Sequence, residues 1–226
     1  MKKLLIPLLS GGIDSTLAAL KVIRTATRRD VSRVAPVFID YGQESREQEW
    51  QAVLKVSERL KREANGKGIN FEAPVKINLT GSSRDGVRVF EWSQSMLIKG
   101  SRSELAEVEN RNMVLISVVA SYAKAFTPQN EKAVVITGFR NEFYDTRIEF
   151  ARQLNRIFRV LEMQIQIDTP VIEYEGDGGK KKLVDIFSSM GYADLINLTW
   201  SCYTPHGNQP CGKCPACQKR NKAIRK

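Results

Sequence analysis

Short β-rich apolar runs alternate with longer stretches of helical period along nearly the whole chain, and this alternation limits the architecture more than any other feature. The apolar runs fall at residues 3–9, 34–40, 71–77, 133–137 and 165–168. The helical stretches fall at 14–27, 44–63, 113–125, 148–160 and 181–190. In the second of these, Trp50, Val53, Leu54, Ser57 and Leu60 mark one face of a 3.6-residue period. Strand–helix alternation predicts an α/β fold, a mostly parallel sheet with helices on both faces. Pro7, Pro36 and Pro74 stand inside three of the proposed strands. Each removes a backbone donor from a ladder, so those strand boundaries stay open.

Two regions break the pattern. Residues 80–108 are polar and rich in Gly and Ser, with Trp92, Met96 and Leu97 among their large apolar side chains. They read as a long loop or small helical insert, a usual place for a functional lid. Residues 192–226 hold all four cysteines, between Cys202 and Cys217, and end in the basic run Lys219-Arg220-Asn221-Lys222. The expected division is an α/β unit over 1–191 and a metal-binding region over 192–226.

Composition excludes several classes. The 226 residues are enough to bury a core without disulfide staples. No run of about 18 apolar residues is present, so no membrane span is expected. The first residues faintly resemble a signal peptide but lack a small-residue cleavage site, and the chain is expected to be cytoplasmic. Lys and Arg number 35 against 25 Asp and Glu, a formal charge of +10. That balance fits nucleotides, nucleic acid or another acidic partner without choosing among them.

The string Ser10-Gly11-Gly12-Ile13-Asp14-Ser15-Thr16 follows the first strand and opens the first helix. Two glycines let the backbone turn with its N–H groups outward, and the helix N-terminus behind adds partial positive charge. Ser10, Ser15 and Thr16 supply hydroxyl donors, and Asp14 is placed to hold a Mg²⁺ or to cap the helix. Any one of these residues is ordinary at a glycine turn; the whole string after a strand is a phosphate site. It is not the common P-loop, which is longer and carries a lysine before its Ser/Thr.

Cys202, Cys211, Cys214 and Cys217 lie within 16 residues of one another. Four soft ligands at this spacing suit a closed tetrahedral Zn²⁺ site that staples a polar tail. A redox pair would leave two cysteines unexplained. Iron–sulfur ligation of the ferredoxin kind expects a fourth cysteine at 221, where the chain has Asn. His206, the single histidine, falls inside the cysteine loop and reads as loop structure rather than ligand.

The Ser-Gly-Gly-x-Asp-Ser loop resembles the signature of the PP-loop ATP pyrophosphatases. Joined to Thr199-Trp200-Ser201-Cys202-Tyr203 and Cys211-Gly212-Lys213-Cys214-Pro215-Ala216-Cys217-Gln218-Lys219-Arg220, it resembles the 7-cyano-7-deazaguanine synthase (QueC) family over nearly the whole chain. Tyr41-Gly42-Gln43 is similar to the family's YGQ. Arg111-Asn112 is similar to its GRN, with Asn110 in place of the glycine. Thr137-Gly138 and Asp168-Thr169-Pro170 resemble its TG and TP elements.

The resemblance implies ATP, Mg²⁺ and a structural Zn²⁺. It implies adenylation of the carboxylate of 7-carboxy-7-deazaguanine, attack by ammonia to give the amide, and a second activation that yields the nitrile. Asp14, Ser15 and Lys180 are then expected to carry the catalytic step. Ser10, Gly11, Gly12, Asp14, Ser15, Thr16 and Tyr41 would hold ATP. Arg111, Asn112, Asp145 and Arg147 would hold the acid, and Cys202, Cys211, Cys214 and Cys217 the metal. A homodimer is also implied.

One departure bears on the substrate. Where the family carries DxSGYPDCR after the TG, this chain has the shorter Phe139-Arg140-Asn141-Glu142-Phe143-Tyr144-Asp145-Thr146-Arg147, in which Asp145 and Arg147 align with the tail. Residues 176–179 look like an added loop. Further readings therefore stay open beside the ammonia ligase. One is a QueC-like antiphage-defence ligase that passes the activated deazaguanine to an amine of a partner protein. Others are a tRNA-modifying PP-loop enzyme, for which nucleic acid would be the partner, and a zinc-stapled nucleotide-binding module without activity.

Overall fold

The computed structural model describes residues 1–79, 110–174 and 178–225. The insert expected at 80–108, with Trp92, Met96 and Leu97, lies outside the described residues, as do 176 and 177 of the added loop. The chain runs β1 (Lys2–Pro7), α1 (Ile13–Thr25), β2 (Val31–Val34), β3 (Val37–Asp40), α2 (Arg46–Gly66), β4 (Asn70–Phe71), β5 (Val75–Asn78) and α3 (Arg111–Phe126). It continues with β6 (Glu131–Ile136), α4 (Ile148–Val160), β7 (Ile165–Asp168), α5 (Gly179–Ser189), α6 (Ala193–Leu198) and α7 (Pro215–Ile224).

All strand pairs among the described residues are parallel. The main sheet has the order β4-β2-β1-β6-β7, and β3 pairs with β5. The expected strands at 34–40 and 71–77 are each two strands. Pro36 and Pro74 are the reason: each lacks an N–H and interrupts its ladder. Pairing runs up to Pro36, where Ala35 N–H donates to Leu5 O (2.9 Å), and resumes directly after Pro74, where Val75 N–H donates to Pro36 O (2.9 Å). Pro7 ends β1 in the same way, after which Leu8 bridges Val37 and Leu9 N–H donates to Val37 O (2.8 Å).

Central strands alternate cleanly between two cores, as a period of two requires. Leu5, Val134 and Ile136 face α1, α2 and α5, where Leu17, Leu20, Val53, Leu60, Leu183 and Phe187 pack. Leu4, Ile6, Ala133 and Val135 face α3 and α4, where Ile116, Val119, Leu154 and Phe158 pack. Helices therefore cover both faces, and β1, apolar on both, reads as one hydrophobic run. Residues 192–226 join the first core through Leu195, Ile196 and Ala223. Arg220 anchors them: it donates to Ile196 O (2.6 Å), Thr199 Oγ1 (2.7 Å) and Ser201 Oγ (3.3 Å).

Sequence order reverses across β1 and β6, so their carboxyl ends form a switch-point crevice, the usual ligand site of an open α/β sheet. Gly138 closes the floor of that crevice. A Cβ there would lie 2.6 Å from Ser15 N and 2.8 Å from Asp14 C, both backbone atoms. In urea unfolding, Gly138→Ala should cost about 1–3 kcal/mol through overpacking. Phe187→Ala, which empties a fully buried site under α1, should cost about 3–5 kcal/mol. A Gly138→Ala midpoint equal to that of the parent would mean that α1 does not rest on the β6 turn.

Candidate active site

The first turn of α1 is built by the loop before it. Gly11, at φ +72°, turns its Cα against α2, where a Cβ would lie 2.7 Å from Glu49 O. Trp200 N–H donates to Gly11 O (2.8 Å), which joins the cysteine region to the loop. The buried Thr16 hydroxyl donates to Gly12 O (2.7 Å), and Ser15 Oγ lies 3.1 Å from Ser10 Oγ. Gly11 and Thr16 thus shape the loop from behind. Ser10, Gly12, Asp14 and Ser15 line a cavity of about 390 Å³ in front of it, within the range of small-molecule sites.

Asp14 is the electrostatic centre of the cavity. Its Oδ2 lies 3.0 Å from Lys180 Nζ at the start of α5. Its Oδ1 lies 3.3 Å from Arg140 Nε, outside hydrogen-bonding geometry, so that oxygen is buried without a hydrogen-bond partner. Arg140 is 6% exposed and also holds Glu142 (2.6 Å). Arg140 stands in the shortened 139–147 string with no role assigned from sequence. The available signal was a cation two residues past Thr137-Gly138, at the carboxyl end of a central strand.

A second wall comes from β3 and α3. Asn110 adopts a left-handed conformation at φ 57°, which explains why a glycine substitute there is asparagine. It opens α3 so that Arg111 and Asn112 line the cavity. Arg111 lies among Tyr41, Tyr203 and Asp145. Burial opposes its charge, but these neighbours outweigh that and raise its pKa. Burial likewise pushes the Tyr41 hydroxyl up, against the nearby Arg111. Glu49, also unassigned from sequence, accepts from Gln43 Nε2 (2.8 Å) and Ser45 Oγ (2.7 Å). Burial raises its carboxyl pKa despite those bonds.

The shortened string divides in the structure. Asp145 accepts from Asn112 N–H (3.2 Å) and so fastens the start of α3. Arg147 lies over the exposed Tyr144 ring (4.7 Å) and is not among the cavity-lining residues. Phe139, Arg140, Glu142, Phe143 and Thr146 are.

The four cysteine sulfurs lie within 4.8 Å of one another, a set that could hold a metal ion. Cys211 N–H donates to Cys202 Sγ (3.2 Å) and Cys214 N–H to Cys211 Sγ (3.3 Å). The Thr204 hydroxyl and the Cys214 and Lys213 amides pull the Cys211 thiol down to about 5. Burial pushes Cys202 and Cys217 up. Four thiolates this close need a cation between them, so the donor set fits a metal. His206 pairs with Gln209 in the same loop, exposed and away from the cavity lining. Ser201, Tyr203, Pro215 and Ala216, each beside a cysteine, line the cavity. Among the described residues no helix is long and apolar enough to cross a membrane.

The family model described as "Queuosine biosynthesis protein QueC" matches residues 4–226. A 7-cyano-7-deazaguanine synthase of Methanothrix thermoacetophila is 26% identical, over 96% of this chain and 92% of its own. One of Methanobrevibacter smithii is 27% identical (100% and 94%), and one of Caldicellulosiruptor saccharolyticus 29% (96% and 89%). Among solved structures, the U34-tRNA thiolase NcsA from Methanococcus maripaludis with its [4Fe-4S] cluster is 11% identical, with TM-score 0.44 over 98% of this chain and 64% of that one. With a phosphate-type loop at the switch point and a family match that spans both it and the cysteine cluster, the chain belongs to the QueC family.

Proposed function

We propose that the protein is an ATP-dependent 7-cyano-7-deazaguanine synthase, an AMP-forming carbon–nitrogen ligase. The observation that carries this reading is one cavity in which the Ser10–Ser15 loop faces Arg111, Arg140 and Lys180, in a chain matched by the QueC model from residue 4 to 226. The relatives do not favour the protein-acceptor or tRNA readings.

The loop amides and the Ser10 and Ser15 hydroxyls hold the ATP phosphates at the N-terminus of α1. Arg111, on the opposite wall, draws in the acid's carboxylate. A carboxylate oxygen attacks the α-phosphorus, the bond to the β-phosphate oxygen breaks, and pyrophosphate leaves. Lys180 and Arg140 are positioned to exchange Asp14 for phosphate oxygens as charge moves onto the leaving group. Ammonia then displaces AMP from the acyl carbon and loses a proton, giving the amide. A second adenylation activates the amide oxygen, and departure of AMP with loss of two protons leaves the nitrile. With His206 outside the cavity lining, no histidine accepts these protons.

Asp14 Oδ1, which has no hydrogen-bond partner beside its ion pair with Arg140, suits a Mg²⁺ ligand, and the ion would screen phosphate charge. The cysteines hold one structural Zn²⁺. Sulfurs that all lie within 4.8 Å of one another suit thiolates that would share a single ion.

Incubation with labelled ATP should release AMP and pyrophosphate only when 7-carboxy-7-deazaguanine is present, and ammonium should yield amide and then nitrile by mass. Absence of AMP under all of these conditions would sink the ligase reading. Asp14→Ala and Ser10→Ala should each lower AMP release by about a hundred-fold or more; unchanged release would mean that the loop does not hold the phosphates.

Elemental analysis should find one zinc per chain, lost in Cys214→Ser together with protease resistance of residues 192–225. Iron in its place would overturn the assignment.

A further inference from the structure

The basic run after the last cysteine is not a free tail. It lies in α7, and the residues of that helix fall into two sets. Cys217 belongs to the metal cluster, Arg220 is tied to Ile196 and Thr199, and Ala223 is in the first core. Pro215, Ala216 and Lys219 line the cavity instead; Lys219 follows Ala216 by three residues and Pro215 by four, the spacings that bring side chains together on one helical face. The orientation of α7 is fixed at both ends, by the cysteines and by Ala223, so Lys219 is directed to the cavity by constraints independent of its own side chain.

The other cations of the lining are engaged. Lys180 is held by Asp14, Arg140 by Asp14 and Glu142, and Arg111 by Tyr41. Lys219 has no ion-pair or hydrogen-bond partner among the described residues, and its side chain is exposed. Among the described residues it therefore offers a charge without a counter-ion to whatever enters. Its place on the wall favours phosphate over the acid's carboxylate. The neighbouring Arg220 donates to Ser201 Oγ (3.3 Å), and the adjacent Trp200 N–H donates to Gly11 O (2.8 Å). A Cβ on Gly12 would lie 3.7 Å from Trp200 O. Thus α7 is docked through residues 200–201 onto the phosphate loop itself.

Resting on the ligase reading above, we infer that Lys219 binds the ATP polyphosphate, and that the metal-stapled helix holds this cation beside the loop. Lys219 then supplies the attraction that lets Lys180 and Arg140 remain on Asp14 until nucleotide arrives. The binding is charge-assisted and needs a cation, not a lysine as such.

Titration calorimetry on the full-length, metal-loaded protein tests this with ATP, pyrophosphate and AMP as separate probes. Lys219→Gln should weaken ATP and pyrophosphate about ten-fold, the worth of one charge-assisted hydrogen bond. AMP affinity and thermal midpoint should stay unchanged. Lys219→Arg should restore ATP binding, and Lys222→Gln, on the exposed side of the same helix, should match the parent. Parent-like ATP binding by Lys219→Gln would overturn the inference. So would equal losses for ATP and AMP, or a rise in KM confined to the acid. Failure of the ligase reading is separate: a parent that binds ATP through Lys219 yet releases no AMP would refute that reading alone.

Discussion

The Asp14 carboxylate, set between Lys180 and Arg140, is the interaction on which the site depends. It joins the first turn of α1, the loop after β6 and the first turn of α5, elements that packing alone brings close but does not lock. Two unit charges at about 4 Å attract by roughly 4 kcal/mol at an effective dielectric near 20, and desolvation offsets much of that. The pairs are thus strong enough to help order these three segments without locking them. Removing the carboxylate would leave the nearly buried Arg140 with Glu142 as its remaining acidic partner.

The cysteine region belongs to the same design. It packs on the first core through Leu195, Ile196 and Ala223, bonds the phosphate loop at Gly11, and supplies one wall of the cavity. The four cysteines gather residues 202–217 about a set that could hold a metal ion, and residues beside them line the cavity.

Much of this was legible in the chain. The alternation of apolar runs and helical periods named the fold class, because periods of 2 and 3.6 leave different marks. The Ser-Gly-Gly-x-Asp-Ser string, followed by Thr16, named the loop, because few other uses demand two glycines and three hydroxyls where a strand passes into a helix. Pro36 and Pro74 marked where ladders would fail, though not that the partners resume pairing beyond each break. Arg140 and Glu49 were passed over because a charged residue in a basic, polar chain carries no local sign of burial. Lys219 looked like part of a tail, since its helix is short and polar and depends on cysteines for its orientation.

By itself, the sequence determined the α/β class, most of the helical segments, the positions of the glycine-rich loop and of the clustered cysteines, and which family the motifs resemble. These are local properties, written in periodicity, turn chemistry and ligand spacing. Only the tertiary structure decided which cations meet: that Asp14 holds Arg140 and Lys180, that Asp145 fastens α3, that Arg147 lies over Tyr144, and that Lys219 faces the cavity. Those outcomes join residues far apart in the chain, and their energies depend on burial and distance, which exist only once the sheet, helices and cysteine region have packed.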